Sequence, residues 1–417
     1  MQRIGPFLHL NSMFVKKISL LLCISGLVLA GCSRDEYYER PSMDEAGSIK
    51  GATAGSPSGE GDGSGQAEGE PGKITAGEWN DLDNWSFWGR LMTTEQSDQE
   101  AGDYRKMPEY WRFYTDRRVA VEVVDQQSQP LNGVTVELLS DDEVVWKSVT
   151  DCLGRAEGWV GLYDNEAKDG VLSIALNGIK QKDAPVVSGW KETPTNNKYV
   201  FFAKAPAAVA DLLFIVDATG SMSDEIAFLK ADLLNIMDKV QKMETATSIR
   251  TSAIFYRDKG DEYLTRVTPF STDFSATSRF IADQSAAGGG DYPEAVHTAL
   301  EASIQELAWS SSAQAKLAFI LLDAPPHHDD KGVIESIQKT IRHYAAQGIK
   351  LIPVASSGVD KNTEFLLRFM AIATGGTYVF ITNDSGIGND HIAPSVGDYK
   401  VEILGDLMVR LITKYIG

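Results

Sequence analysis

Five oxygen-bearing side chains stand where the chain could build a cation site: Asp217, Thr219 and Ser221 in DATGS, Asp291 in GGGDYPEA, and Asp323 in LLDAPPHHDD. Carboxylates and hydroxyls are hard donors, and Mg2+ takes such oxygens at about 2.0–2.1 Å while keeping several waters. One carboxylate with two hydroxyls on alternate residues is a partial shell of that kind. Asp323 adds a second carboxylate, and Asp291 a further oxygen, directly or through water. Mg2+ is therefore the expected cofactor, with Mn2+ or Ca2+ as alternatives, because the set is all oxygen. His327 and His328 adjoin Asp323 and would favour zinc as ligands, but they read as loop residues near the rim. A Thr-Gly-Ser turn can also cap a helix with no metal present. The other acidic segments are what favour the metal.

The elements that must position these groups are legible from hydrophobic patterning. Residues 212–216 form a short, branched apolar run that ends on Asp217, and residues 316–322 form another that ends on Asp323. Both suit buried parallel strands, and in doubly wound sheets the functional crevice lies beyond the carboxyl ends of such strands. Gly220 keeps the first turn tight. Helical spacing is expected over residues 224–243, where Ile226, Leu229, Leu233, Ile236 and Val240 recur, and over 293–307, 332–346, 363–373 and 401–415. Strand-like runs fall at 251–256, 264–267, 350–355 and 377–381. This alternation predicts an α/β fold, with parallel strands and helices on both faces.

The constellation resembles the von Willebrand factor A-like fold and its metal-ion-dependent adhesion site. Asp217, Thr219 and Ser221 match that family's Asp-x-Ser/Thr-x-Ser motif, and Asp323 matches its aspartate after a later apolar strand. The family's middle ligand is a threonine on a Gly-rich loop. Here that loop carries Asp291 instead. The resemblance implies a doubly wound, Rossmann-like domain over residues 211–417. It also implies a divalent cation with an open position that a carboxylate of a protein partner fills, in adhesion, assembly or scaffolding. The chain is therefore expected to bind and not to catalyse. Two alternatives stand beside this. The strand ending on Asp217 faintly resembles haloacid dehalogenase-like phosphatases, but their acid/base aspartate position holds Thr219. The other is a scaffold whose metal site does no work.

The N-terminus bears on location. Lys16 and Lys17 precede an apolar stretch over residues 18–30, which reads as a secretory signal and is short for a membrane span of about 20 residues. The stretch ends in Leu29, Ala30, Gly31 and Cys32, resembling a bacterial lipobox in which Cys32 is lipidated. Ser33 after that cysteine resembles an outer-membrane sorting signal, and Arg34, Asp35 and Glu36 resemble surface-export tags. The expected place is the cell outer membrane, lipid-anchored, with the body periplasmic or surface-exposed. Removing residues 1–31 takes away Arg3, Lys16 and Lys17 and no acid, so the net charge of -19 becomes -22. So acidic a surface repels nucleic acid, and no nucleic-acid partner is expected. Cys152 then remains as an unmodified thiol, which reads as a small buried hydrophobe.

Residues 32–73 comprise the lipidated terminus and a Gly, Ser and Glu-rich linker with little to bury. Residues 74–117 are aromatic-rich, and such density more often packs a helical element on a neighbour than forms a contact surface. Residues 118–205 alternate apolar and polar between Gly and Pro turns, which predicts a small antiparallel β-sandwich. Their PLNGVTVEL and TDCLG sequences resemble carboxypeptidase regulatory-like and transthyretin-like modules, which implies a spacer or binding platform.

Overall fold

The computed structural model describes residues 69–94, 103–163 and 170–417. The expected signal region, Cys32 and most of the expected linker lie outside the described residues. Among the described residues no helix is long and apolar enough to cross a membrane.

The chain enters through strand β1 (Thr75–Trp79) and helices α1 (Trp85–Thr93) and α2 (Met107–Trp111). Seven short strands follow: β2 (Arg118–Val124), β3 (Thr135–Ser140), β4 (Glu143–Val149), β5 (Arg155–Trp159), β6 (Leu172–Leu176), β7 (Ile179–Lys180) and β8 (Asn196–Val200). They form two small sheets, ordered β5-β2-β8 and β4-β3-β6-β7. Buried Val121, Leu138, Trp146 and Ile174 from both share one apolar core. Antiparallel pairing dominates, but β8 runs parallel to β2.

The larger sheet uses β9 (Ala207–Asp217), β10 (Ser248–Tyr256), β11 (Thr265–Ser271), β12 (Ala313–Leu322), β13 (Ile349–Ala355), β14 (Tyr378–Ile381) and β15 (Glu402–Ile403). Between them come α3 (Ile226–Gln241), α4 (Phe274–Ala282), α5 (Val296–Gln305), α6 (Val333–Gln347) and α7 (Lys361–Thr374), with α8 (Leu404–Ile416) last. The strand order is β11-β10-β9-β12-β13-β14-β1-β15. The expected α/β class holds. The sheet is nevertheless mixed: its centre, β10 to β14, is parallel, while β11 and β1 pair antiparallel at either side.

Both faces of the centre are covered, which is why its strands read as unbroken apolar runs. Along β9, Leu213 and Ile215 face the core shared with α5, α6 and α7, whereas Leu212, Phe214 and Val216 face α3, α4 and α8. The aromatic segment is packed, not displayed: Trp88 stacks on Phe365 and Phe113 on Phe369 of α7, with ring centroids 5.6 and 4.1 Å apart. Arg368 of α7 forks onto Asp81 at 2.6 and 2.9 Å, both side chains fully enclosed. The segment before the small sheets is thereby built into the large one.

Candidate metal centre

β9 and β12 are neighbours in the sheet, so their ends deliver Asp217 and Asp323 to the same edge. Beyond Asp217 the chain folds onto its own carboxylate. The Thr219 N–H and Oγ1–H both donate to Asp217 Oδ1, at 2.9 and 2.7 Å, and Ser221 Oγ lies 3.1 Å from Thr219 Oγ1. Thr219 is buried and Ser221 exposed, so the hydroxyl row climbs from the sheet toward solvent. The Gly220 N–H donates to Gly288 O at 3.0 Å, and a Cβ on Gly220 would stand 2.7 Å from that oxygen. Glycine is what lets the two loops touch.

The buried acid of the Gly-rich loop is Glu294. Asp291 sits on the exposed outer bend of the loop. The chain does not enter a helix at Pro293 as expected; α5 starts at Val296. The Glu294 N–H instead donates to Pro325 O at 2.8 Å, and Glu294 forms an isolated bridge with Pro326, which pins it beside the loop that follows Asp323. Gly289, at φ +70°, passes so close that a Cβ there would lie 2.9 Å from Glu294 Oε1 and 3.3 Å from Thr219 Cβ. Only two residues separate the two acids of this loop, and the bridge to Pro326 is what sets Glu294 apart from Asp291.

Three carboxylates thus reach one edge of the sheet, each with a buried oxygen that has no hydrogen-bond partner: Asp217 Oδ2, Glu294 Oε2 and Asp323 Oδ1. Burying charge this way is costly, and it raises the pKa of each group. Burial raises Asp217 to about 6 against the opposing hydrogen bonds from Thr219. Burial, then the charge of Asp217, raises Asp323 to about 7, with the Ser221 hydroxyl pulling it down. Burial, then Asp217, Asp258, Asp323 and Asp261, raises Glu294 to about 9. No ion pair found among the described residues neutralises these three. Nearby Arg257 turns its Nε to Ala218 O at 3.1 Å and an Nη to Ser285 O at 2.8 Å, Lys259 pairs with Asp330, and His327 pairs with Asp258 at 2.6 Å.

His327 therefore serves Asp258, and His328 stacks on Tyr110 with centroids 3.8 Å apart. Among the described residues, no three His, Cys, Asp or Glu side chains are grouped to hold an ion by themselves. The donors near Asp217 are mixed, carboxylates with hydroxyls. A further acid supports the loops: Asp261 Oδ2 accepts the N–H groups of Asp258 and Gly289, at 3.0 and 2.9 Å. Asp258 lies two residues beyond the end of β10.

The von Willebrand factor A domain family matches residues 211–383. Among curated proteins, the chain is 32% identical over 121 residues to ariadne-like RING finger protein R811 of Acanthamoeba polyphaga mimivirus, covering 29% of this chain and 12% of that protein. It is 30% identical over 132 residues to alpha-protein kinase vwkA of Dictyostelium discoideum, covering 31% and 21%. This chain thus spans a small part of the length of these relatives. Among solved structures, BatB from Bacteroides thetaiotaomicron is similar with a TM-score of 0.34 at 11% identity, over 49% of this chain and 98% of that one. An aerotolerance-related membrane protein from Bacteroides fragilis gives a TM-score of 0.31 at 14% identity, over 50% and 98%. Residues 211–383 of this chain are a von Willebrand factor A domain.

Proposed function

We propose that this domain holds a divalent cation at the edge formed by Asp217, Thr219, Ser221, Glu294 and Asp323, and that the bound cation recruits a protein partner through a carboxylate. The observation that carries the reading is that Asp217, Glu294 and Asp323 each leave a buried carboxylate oxygen without a hydrogen-bond partner at the end of the sheet where Thr219 and Ser221 form a row of hydroxyls. The fit to a hard cation rests on donor chemistry: all oxygen, anionic, and without an ion-paired protein cation among the described residues. Thr219 and Ser221 would offer neutral oxygens, and Asp217, Asp323 and Glu294 the charge. When bound, the cation supplies a Lewis-acidic coordination position for the partner's acid. Ser221, the exposed member of the row, marks the side from which the partner arrives. Asp291, exposed on the same loop, would touch the partner or a cation-bound water.

The lipobox-like sequence ending at Cys32 supports an outer-membrane lipid anchor, with the linker giving the binding domain reach. Melting in EDTA and in Mg2+ tests the metal half of the proposal. A ligand that binds only the folded state stabilises it by about 2.7 kcal/mol at a hundredfold excess over Kd. The wild type should melt higher in Mg2+ than in EDTA, and Asp217→Ala should show no difference. Equal curves for the wild type would leave a scaffold with an inert site. Partner capture from envelope extract should be lost on chelation and in Asp217→Ala.

A further inference from the structure

A second polar site lies at the opposite pole of the large sheet, between it and the two small sheets. A cavity of about 280 Å³ opens there. From the large sheet it takes Lys350, the second residue of β13, and Tyr415 of α8; from the small sheets it takes Arg118 of β2, Ser148 of β4, Glu157 of β5 and Asp151. The cation edge lies past the carboxyl ends of β9 and β12, whereas Lys350 stands at the amino end of β13. The two sites are separate.

The interior of this cavity carries both signs of charge side by side. Lys350 Nζ meets Asp151 Oδ2 at 3.1 Å and Gly375 O at 2.9 Å, and Arg118 forks onto Glu157 at 2.7 and 2.8 Å. At the mouth, Arg155 approaches Asp83 at 3.4 Å and exposed Lys414 adds another cation. Buried ion pairs add little net stability relative to apolar packing, so two of them in one cavity are not explained by holding the modules together alone. One polar group beside it is also unfinished: Ser148 lines the cavity, and its hydroxyl is enclosed without a hydrogen-bond partner. Pockets at domain boundaries with a few convergent polar groups are where small ligands bind.

The pairing of the charges selects the ligand class. A simple anion or cation would have to compete with a carboxylate or a cation already in place. A molecule bearing both charges can lay its carboxylate against Arg118 or Lys350 and its ammonium against Asp151 or Glu157, leaving each pair intact. We propose that this cavity binds a zwitterion of the size of an amino acid or dipeptide, with the Ser148 hydroxyl as a further hydrogen-bonding group. Such a ligand bridges the small-sheet module and the von Willebrand factor A domain, and clamps one against the other.

Calorimetric titration of the full-length protein tests this, with free amino acids and dipeptides as probes and acetate, methylamine and glucose as controls. At least one zwitterion should saturate with a Kd below about 1 mM. EDTA should leave its affinity unchanged, which separates this site from the cation edge. Ser148→Ala should weaken it about fivefold, as expected for one lost hydrogen bond, and Lys350→Met should weaken it more than about tenfold. Ser148→Ala removes one oxygen and keeps the test valid if Lys350→Met unfolds. Failure of every zwitterion to saturate by about 10 mM, equal binding of a control, or unchanged affinity in Ser148→Ala would overturn the proposal.

Discussion

Asp217 and Asp323 end neighbouring parallel strands of one sheet, and each leaves a buried carboxylate oxygen without a hydrogen-bond partner. Two like charges set side by side in a dry site repel, and the sheet holds them together regardless. Glu294 joins them from a loop between the two strands. The fold carries this electrostatic cost at one edge, and a cation would relieve it.

The first prediction follows from that cost. The folded state raises the acids of Asp217, Asp323 and Glu294 above their ordinary values. A raised carboxyl binds its proton more tightly when folded, so its stabilising effect is complete at low pH and lost as pH rises through the folded value. In chelator, the melting temperature should therefore fall between about pH 5 and about pH 8. Saturating Mg2+ should flatten or reverse that slope, because metal replaces the protons. A chelated protein that gains stability with pH over this range would contradict the account.

The roles assigned to two acids on one loop can be separated. Glu294→Gln should reduce the Mg2+-induced rise in melting temperature, and Asp291→Asn should leave most of it. Asp291→Asn should act instead on partner binding. The opposite ranking would return Asp291 to the shell.

Gly289 tests the approach of the two loops. Its φ of +70° and the 2.9 Å separation from Glu294 Oε1 leave no room for a methyl group. Gly289→Ala should cost about 1 kcal/mol or more through backbone strain alone. It should also blunt the response to Mg2+, since Glu294 must move. Differential scanning calorimetry with and without Mg2+ reads both effects.

These positions show how far the sequence reaches. The apolar runs before Asp217 and Asp323 are fully enclosed, so their patterning announced both strands and the acids at their ends. The burial of Glu294 beside an exposed Asp291 is not legible in the sequence, because it depends on the contact of Glu294 with Pro325 and Pro326, some thirty residues on. β1 was hidden for a like reason. Its five residues, TAGEW, carry no clear alternation, and they become a strand by pairing with β14, Ala76 opposite Ile381. The antiparallel β11 and β1 also escaped an all-parallel expectation, since strand direction is set by connections and not by composition.

The insertion of β1 has a consequence for stability. Asp81, just after β1, is the enclosed partner of Arg368, and removing one member of a buried pair costs about 3–5 kcal/mol. Asp81→Ala should lower stability by that order in urea unfolding. A fragment spanning only residues 211–383, which lacks β1 and Asp81, should be far less stable than the longer chain. If the fragment melts at the temperature of the full protein, β1 is an accessory and not part of the domain.

Calorimetric titration of Mn2+ into chelator-stripped protein puts the cation site to the most direct test. The wild type should bind a single ion per chain, with the heat abolished by Asp217→Ala and weakened by Glu294→Gln. No saturable heat in the wild type, or an isotherm that Asp217→Ala leaves unchanged, would contradict the account.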